Sequence, residues 1–283
     1  MIETVAIAGV GLIGGSFALA LRKHGFRGRI LGVSSPSTIK QALELGVIDE
    51  GVELREACRR AQLLYLAQPV RGILSAIDEV AELATPELLV TDAGSTKHVI
   101  CERAAERGIP LFIGGHPMAG KAVRGVAAAE AELFSGRTYV FTPLEESQIE
   151  TALFRAFHEY IAAFRASIVY LSPQEHDRIV AFTSHLPQLL SSALCVTLAS
   201  ESLDSDDLRV AGQGLIDTTR LALSSFDIWG DILATNREVL DQALLKYIDK
   251  LQFFRHNLTN PELCRDFESA AAFAALLRRS SDF

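Results

Sequence analysis

Residues 4–16 read TVAIAGVGLIGGS: an apolar run from Thr4 to Ala8, then Gly9-Val10-Gly11-Leu12-Ile13-Gly14. A short apolar run that stops at a glycine reads as a buried strand. Beyond it, Ile13, Phe17, Ala20 and Leu21 recur at offsets 0, 4, 7 and 8, one face of a helix that closes at Gly25 after His24. A G-x-G-x-x-G set between a strand and a helix predicts a dinucleotide-binding turn. Gly9 permits the tight turn, Gly11 lets the backbone approach a pyrophosphate, and Gly14 lets the helix close on the strand. Leu12 and Ile13 then supply backbone amides at the positive end of the helix dipole.

The alternation continues outward from this turn. Strand-like runs follow at 29–34, 62–67, 88–92, 111–113, 139–142 and 167–171. Helical segments separate them at 37–45, 71–84, 96–107 and roughly 146–163. Strands alternating with helices through short loops imply an α/β Rossmann-type, doubly wound, mainly parallel sheet over residues 1–171. The pattern changes at Ser172-Pro173-Gln174-Glu175, which has Ser as N-cap, Pro at N1 and Glu at N3. No strand-like run follows. Helices are expected at roughly 173–199, 206–225, 228–258 and 261–281. Residues 172–283 therefore read as an all-α domain, and its apolar faces predict burial in a homodimer.

Bulk composition excludes several classes. The chain has 283 residues, 49% hydrophobic and 22% charged, with a net charge of −8 and no lysine/arginine block, so neither nucleic acid nor an anionic membrane is an expected partner. A small-molecule substrate is. The four cysteines (Cys58, Cys101, Cys195, Cys264) are scattered, and the opening MIETVAIAGV has no basic n-region, which together predict a cytoplasmic protein without a secretory signal. No window holds 18 uninterrupted apolar residues, so no transmembrane helix is predicted. No two histidines share the i, i+4 spacing of a helix-borne zinc site, and no metal is expected.

The end of the second strand bears on the cofactor. NAD-binding sheets usually place a carboxylate there for the ribose 2′-hydroxyl. Here the chain reads Gly32-Val33-Ser34-Ser35-Pro36-Ser37-Thr38. With no carboxylate to repel a 2′-phosphate, and with Ser34, Ser35 and Thr38 as donors, NADP is favoured over NAD, although no arginine accompanies them.

Three further strand or helix ends carry polar groups towards the same crevice. Asp92-Ala93-Gly94-Ser95-Thr96-Lys97 puts Ser95 at an expected helix start, where it is either an N-cap, a crevice-facing hydroxyl, or both. Gly114-Gly115-His116-Pro117-Met118-Ala119-Gly120 puts His116 after the fifth strand, where an imidazole can take a proton from a substrate hydroxyl. On the first long helix, Asp177, Ser184, His185 and Gln188 share one face, and Pro187 should bend the helix there. His176 and Asp177 read as ties between helices. Arg220, in an otherwise apolar helix, requires a carboxylate from the protein or from a substrate.

Taken in order and spacing, GVGLIGGS, DAGSTK, GGHPMAG, SPQEHDRIVAFTSHLP and DTTRLALSSFDIWGDI resemble the prephenate/arogenate dehydrogenase family of tyrosine biosynthesis. The resemblance runs from the glycine turn to about residue 240. It implies a Rossmann-type domain followed by an all-helical dimerisation domain, with the active site between them. It also implies oxidative decarboxylation of prephenate or arogenate: hydride passes to the nicotinamide of NAD or NADP, the ring hydroxyl proton to a base, and CO2 departs. By position, His116 matches the proton acceptor and Ser95 the serine that hydrogen-bonds the hydroxyl. Arg220 matches the carboxylate-binding arginine, Asp217 a member of its polar network, and Trp229 a tryptophan at the site's edge.

The chain departs from that family's pattern in places. Gln188 stands where SHLPH has its last histidine, and Lys121-Ala122 follow HPMAG in place of Ser/Thr-Glu. Gly230 replaces the arginine after Trp229, and Leu215-Ile216 precede Asp217 in place of Phe-Arg. Gln188 and Lys121 are expected near the substrate's side chain, where prephenate and arogenate differ. A gained lysine and a lost glutamate disfavour the arogenate ammonium, whereas neutral Gln188 in place of a possible imidazolium argues the other way, so the choice between the two substrates stays open. Two other readings compete: a β-hydroxyacid dehydrogenase on the same two-domain plan, and a non-catalytic dinucleotide sensor. The first lacks a convincing catalytic lysine in the helical half. The second does not explain why Ser95, His116 and Arg220 occur together.

Overall fold

Val5 and Ile7 pack to one side of the first strand, β1 (Thr4–Ala8), and Ala6 and Ala8 to the other. Each side is covered by helices, so the strand is apolar throughout, as a strand buried on both faces must be. The computed structural model describes residues 2–121, 123–201, 204 and 206–280. Chain order after β1 is α1 (Leu12–Lys23), β2 (Arg29–Val33), α2 (Pro36–Glu44), β3 (Glu50–Gly51), α3 (Leu54–Arg60), β4 (Leu63–Leu66) and α4 (Val70–Val80). Then come β5 (Leu89–Asp92), α5 (His98–Glu106), β6 (Phe112–Pro117), β7 (Thr138–Pro143), α6 (Glu146–Ile149), α7 (Ala152–Ala163) and β8 (Ser167–Tyr170).

Among the described residues these strands form one eight-stranded sheet in the order β3-β2-β1-β4-β5-β6-β7-β8. All pairings are parallel except β6 with β7, which is antiparallel. The order reverses between β1 and β4, which makes the carboxyl ends of those two strands the switch-point crevice where such sheets take ligands. The glycine turn lies there. One face of the sheet is sealed by Phe17 and Leu21 of α1 and by Phe154, Phe157 and Ile161 of α7. The other is sealed by Ala57, Ile73, Ile77 and Ile100 from α3, α4 and α5.

The helical half contains α8 (Pro173–Val180), a π-turn (Ala181–His185), α9 (Leu186–Ser200), α10 (Gln213–Thr219), α11 (Phe226–Thr235), α12 (Arg237–His256) and α13 (Leu263–Ser280). No strand occurs among its described residues. Ser172 caps α8 in a reciprocal box with Glu175, and Pro173 opens the helix. The widened turn directly before Pro187 is where the long predicted helix gives way, because proline withdraws an amide from the ladder. The run Pro173–Ser200 is long and apolar enough by length and composition to cross a membrane. It also buries His176, Asp177, His185 and Gln188, polar groups that a helix packed against a second domain can satisfy.

Several expected elements take a different form. The edge strand β3 and helix α3 replace an unassigned stretch, because two residues of pairing leave no alternating pattern to read. The helix expected over 206–225 is broken into α10 and flanking 3-10 turns, and that over 228–258 is divided at Asn236. His116 lies within β6 and not after it, since β7 prolongs the ladder past the end of β5 and pairs His116 with Val140.

Candidate active site

The glycine turn has the geometry its sequence requires. Gly9 has φ +95°, and a Cβ there would lie 2.6 Å from the Ala67 carbonyl oxygen. A Cβ on Gly14 would collide with the Gly9 carbonyl oxygen and with Ile7 Cγ2. Gly11 is different: its φ is −94°, and a Cβ would meet nothing within 4 Å. Packing explains two of the glycines but not the third. The space over Gly11, at the N-terminus of α1, is left open by the protein, and a pyrophosphate fits that gap and the amides around it.

From there a crevice runs along the strand ends. A cavity of about 140 Å³ is lined by Ile13, Gln68, Gly94 and Ser95, with Ile228 and Ile232 of α11 above. Gln68 Oε1, on its wall, is buried without a hydrogen-bond partner among the described residues. Ser95, Ile228 and Ile232 also line the next cavity, of about 610 Å³, together with His116, Lys121, Ser184, His185, Arg220 and Trp229. The two spaces therefore adjoin across a common wall, between Ile13 of the glycine turn and His116.

Asp92 and Lys97 fasten the walls of this crevice together from behind. They form a fully buried ion pair. Asp92 Oδ1 accepts from the Gly115 amide at 3.1 Å and Oδ2 from the Gly94 amide at 2.7 Å, while Lys97 Nζ donates to the Gly115 carbonyl at 2.8 Å. The loop bearing Ser95 and the strand bearing His116 are thus fastened to the same two side chains. A buried pair whose members also hydrogen-bond the surrounding backbone is the form in which such an ion pair is tolerated.

His116 is 8% exposed, and burial pulls its pKa well below that of free histidine, assisted by His176, Lys97 and His185. A histidine so depressed is neutral at ordinary pH and able to accept a proton. Its Nδ1 lies 2.8 Å from His176 Nε2, and His176 Nδ1 lies 2.7 Å from Asp177 Oδ1. Asp177 also binds two backbone amides ahead of and at the start of α5, those of Lys97 at 2.7 Å and His98 at 2.9 Å. His185 is buried beside Trp229, edge to face at 5.8 Å, and burial lowers its pKa to about 4. Asn236 Nδ2 donates both to the Asp177 carbonyl and towards His185 Nδ1, which leaves the His185 proton on Nε2.

The other sequence candidates divide into two groups. Ser95, Lys121, Arg220 and Trp229 line the large cavity; Gln188 and Asp217 are not among its lining residues. Ser95 is not an N-cap, because α5 begins at His98 and the Asp177 carboxylate takes the cap's place. Among the described residues, Ser95 makes no hydrogen bond to His116, and Arg220, which is exposed, makes no ion pair. Lys121 Nζ is held 2.6 Å from Glu130. Gln188 Nε2 donates to the Leu221 carbonyl at 2.9 Å, so it fixes the turn that carries Arg220, and Asp217 accepts from Gln213. Ala122 lies outside the described residues. Ser35 caps α2 by accepting from the Thr38 amide, and its hydroxyl also meets that of Thr38 at 2.9 Å, whereas Ser34 stays exposed.

Sequence reasoning missed His176 as a neighbour of His116, and it missed Gln68. The Gln68-Pro69 pair directly after β4, at the switch point, was the available signal for the latter.

A crevice with a glycine turn at one end and a neutral base at the other is that of an oxidoreductase acting on a small molecule beside a bound dinucleotide. Comparison with known proteins narrows the class. Residues 17–170 match the model of the prephenate dehydrogenase nucleotide-binding domain, and residues 172–268 that of the prephenate dehydrogenase dimerization domain. The chain belongs to the prephenate dehydrogenase family. A prephenate dehydrogenase of Bacillus subtilis is 35% identical over 280 residues, covering 95% of this chain and 75% of that one. The Aquifex aeolicus prephenate dehydrogenase solved with hydroxyphenyl propionate and NAD+ superposes with TM-score 0.89 at 28% identity, over 98% of this chain and 99% of that one. Synechocystis arogenate dehydrogenase superposes with TM-score 0.81 at 31% identity, over 97% and 99%.

Proposed function

We propose that the protein catalyses the NAD(P)+-dependent oxidative decarboxylation of prephenate to 4-hydroxyphenylpyruvate, or of arogenate to tyrosine, in tyrosine biosynthesis. The observation that carries this reading is the approach of a neutral His116 and of Arg220, which has no ion-pair partner among the described residues, to one cavity that adjoins the space beside the glycine turn.

His116 accepts the ring hydroxyl proton. Ser95 hydrogen-bonds the hydroxyl oxygen, and Arg220 holds a substrate carboxylate through its guanidinium fork. Trp229 packs beside the ring and Lys121 lies towards the substrate's side chain, while Gln188 acts from outside the cavity by fixing the turn that carries Arg220. Gly9, Gly11, Leu12, Ile13 and Gly14 cradle the pyrophosphate. When bound, the nicotinamide cofactor supplies the hydride acceptor. CO2 leaves as the ring becomes aromatic, so the protein's task is orientation and proton acceptance.

The loop after β2 supports NADP over NAD, since it carries no carboxylate and leaves the Ser34 hydroxyl free to meet a 2′-phosphate. We place the domain division at 171/172. The helical half supports a homodimer: Val196, Leu223, Phe226 and Phe267 are 66–85% exposed, and among the described residues the cluster it buries within itself centres on Leu186, Leu240 and Ala243. Four free cysteines accord with a cytoplasmic location.

The test is a four-way assay of prephenate and arogenate, each with NAD+ and NADP+, following the reduced cofactor. Activity with one substrate, abolished by His116→Asn, is expected. Inactivity in all four combinations refutes the reading.

A further inference from the structure

His176 has no exposed surface and lines neither of the two crevice cavities, yet its ring meets His116 on one side and Asp177 on the other. The direction of these bonds can be deduced from their far end. The Asp177 carboxylate takes the amides of Lys97 and His98, so it is a pure acceptor. His176 Nδ1 must therefore carry a hydrogen. Burial keeps His176 neutral against the pull of Asp177, so its Nε2 is a bare lone pair and can only accept. His116 Nδ1, 2.8 Å away, must then donate. Among the described residues His116 Nε2 makes no hydrogen bond, which leaves it as the free lone pair of the ring.

We propose that His176, anchored by Asp177, is a positioning residue that locks His116 in the Nδ1–H tautomer and keeps Nε2 as the base. This rests on the reading of His116 as proton acceptor. The lock matters because a free neutral histidine prefers the opposite tautomer, with its proton on Nε2 and its lone pair on Nδ1, turned to His176. When Nε2 takes the substrate's hydroxyl proton, His116 becomes an imidazolium that retains its Nδ1 hydrogen. That hydrogen still points at His176, and the Asp177 carboxylate behind it stabilises the new charge, the same logic by which a carboxylate orients a catalytic histidine directly. His176 moves no proton in this scheme.

The experiment uses the full chain with NAD+ or NADP+ bound and 15N-labelled histidine, with His116 assigned by loss of its signals in His116→Asn. The parent should show a protonated Nδ1 and a bare Nε2 at His116. His176→Leu should lower kcat by on the order of 100-fold with KM for the substrate nearly unchanged, and should move the His116 proton to Nε2. His176→Gln, whose side-chain oxygen can accept from Nδ1, should retain the parental tautomer and most of the turnover, and it decides the matter if the Leu variant does not fold. An Nε2–H tautomer in the parent overturns the proposal, as does a folded His176→Leu protein with parental kcat. The tautomer is read without turnover. Failure of the activity assay would therefore remove the substrate reading while the state of His116 is still measured.

Discussion

Asp177 in the helical half caps a helix of the sheet domain: its two carboxylate oxygens take the backbone amides of Lys97 and His98 at 2.7 and 2.9 Å. Asp231, from α11, does the same for α4, accepting the Arg71 amide at 3.1 Å and pairing with its guanidinium at 2.8 Å. Two helix N-termini beside the crevice are thus satisfied by carboxylates from the other domain, and each also meets the positive end of a helix dipole. Asp177→Ala would leave two amides and His176 Nδ1 without partners in a buried place. A loss of roughly 2–4 kcal/mol is expected, seen as a fall in Tm of about 5–10 °C by calorimetry. Asp231→Ala, whose partner Arg71 is largely exposed, should cost about 1 kcal/mol. Equal effects from the two variants would mean that the Asp177 cap carries no special weight.

The glycine turn allows folding to be separated from binding. Gly14→Ala drives a methyl into the Gly9 carbonyl and should destabilise the apoprotein outright. Gly11→Ala meets no protein atom within 4 Å, and its backbone is not left-handed, so Tm should change little. The methyl would instead occupy the space expected for the pyrophosphate, and titration calorimetry should show cofactor affinity reduced by about tenfold or more. Unchanged affinity in Gly11→Ala would place the dinucleotide elsewhere.

Much of this arrangement could be read before any coordinates, and what escaped has physical causes. The glycine turn, the strand alternation and the Ser172–Glu175 box are local signals carried by a few adjacent residues, so they survive in the sequence. The position of His116 within β6 depends on β7, some 20 residues further on, returning antiparallel beside it. Ser95 looked like a cap because nothing nearby announces that Asp177, about 80 residues away, supplies one. His176 and His116 likewise meet only through the packing of two domains. The HD pair of EHDRIV could be recognised as tying helices together, but not as ending on His116.

Three buried histidines make stability depend on pH. His116, His176 and His185 all have pKa values below that of free histidine, with burial the leading cause in each. Near pH 6.5 and below, the unfolded chain takes up protons that the folded chain refuses, so stability is intact above about 6.5 and is lost as the pH falls. For His185 the window extends down to about pH 4, and that shift is worth roughly 3 kcal/mol. Tm should decline steadily from pH 7 to pH 5, and a flat profile would contradict the buried neutral state. Activity should follow a related course. His116 meets His176 of α8, whose far nitrogen is held by Asp177, and it is also influenced by Lys97 and His185. The acidic limb of kcat/KM should therefore lie below the pKa of a free histidine.

Arg220 offers the cleanest division between structure and function. It is exposed, it lines the large cavity, and among the described residues no carboxylate pairs with it. Its backbone turn is held independently, by Gln188 on the Leu221 carbonyl and by Ser191 on the Ala222 amide. Arg220→Gln should accordingly leave Tm within about 1 °C of the parent, as surface substitutions away from such contacts do. It should raise the substrate KM by about 10- to 100-fold, the cost of losing a charge-assisted carboxylate contact. Gln188→Ala tests the other half of the argument, since it keeps the guanidinium but frees the turn. It should lower Tm and raise KM together. A large Tm loss in Arg220→Gln with KM unchanged would show that the arginine serves the fold, and the carboxylate site would have to be sought elsewhere in the cavity.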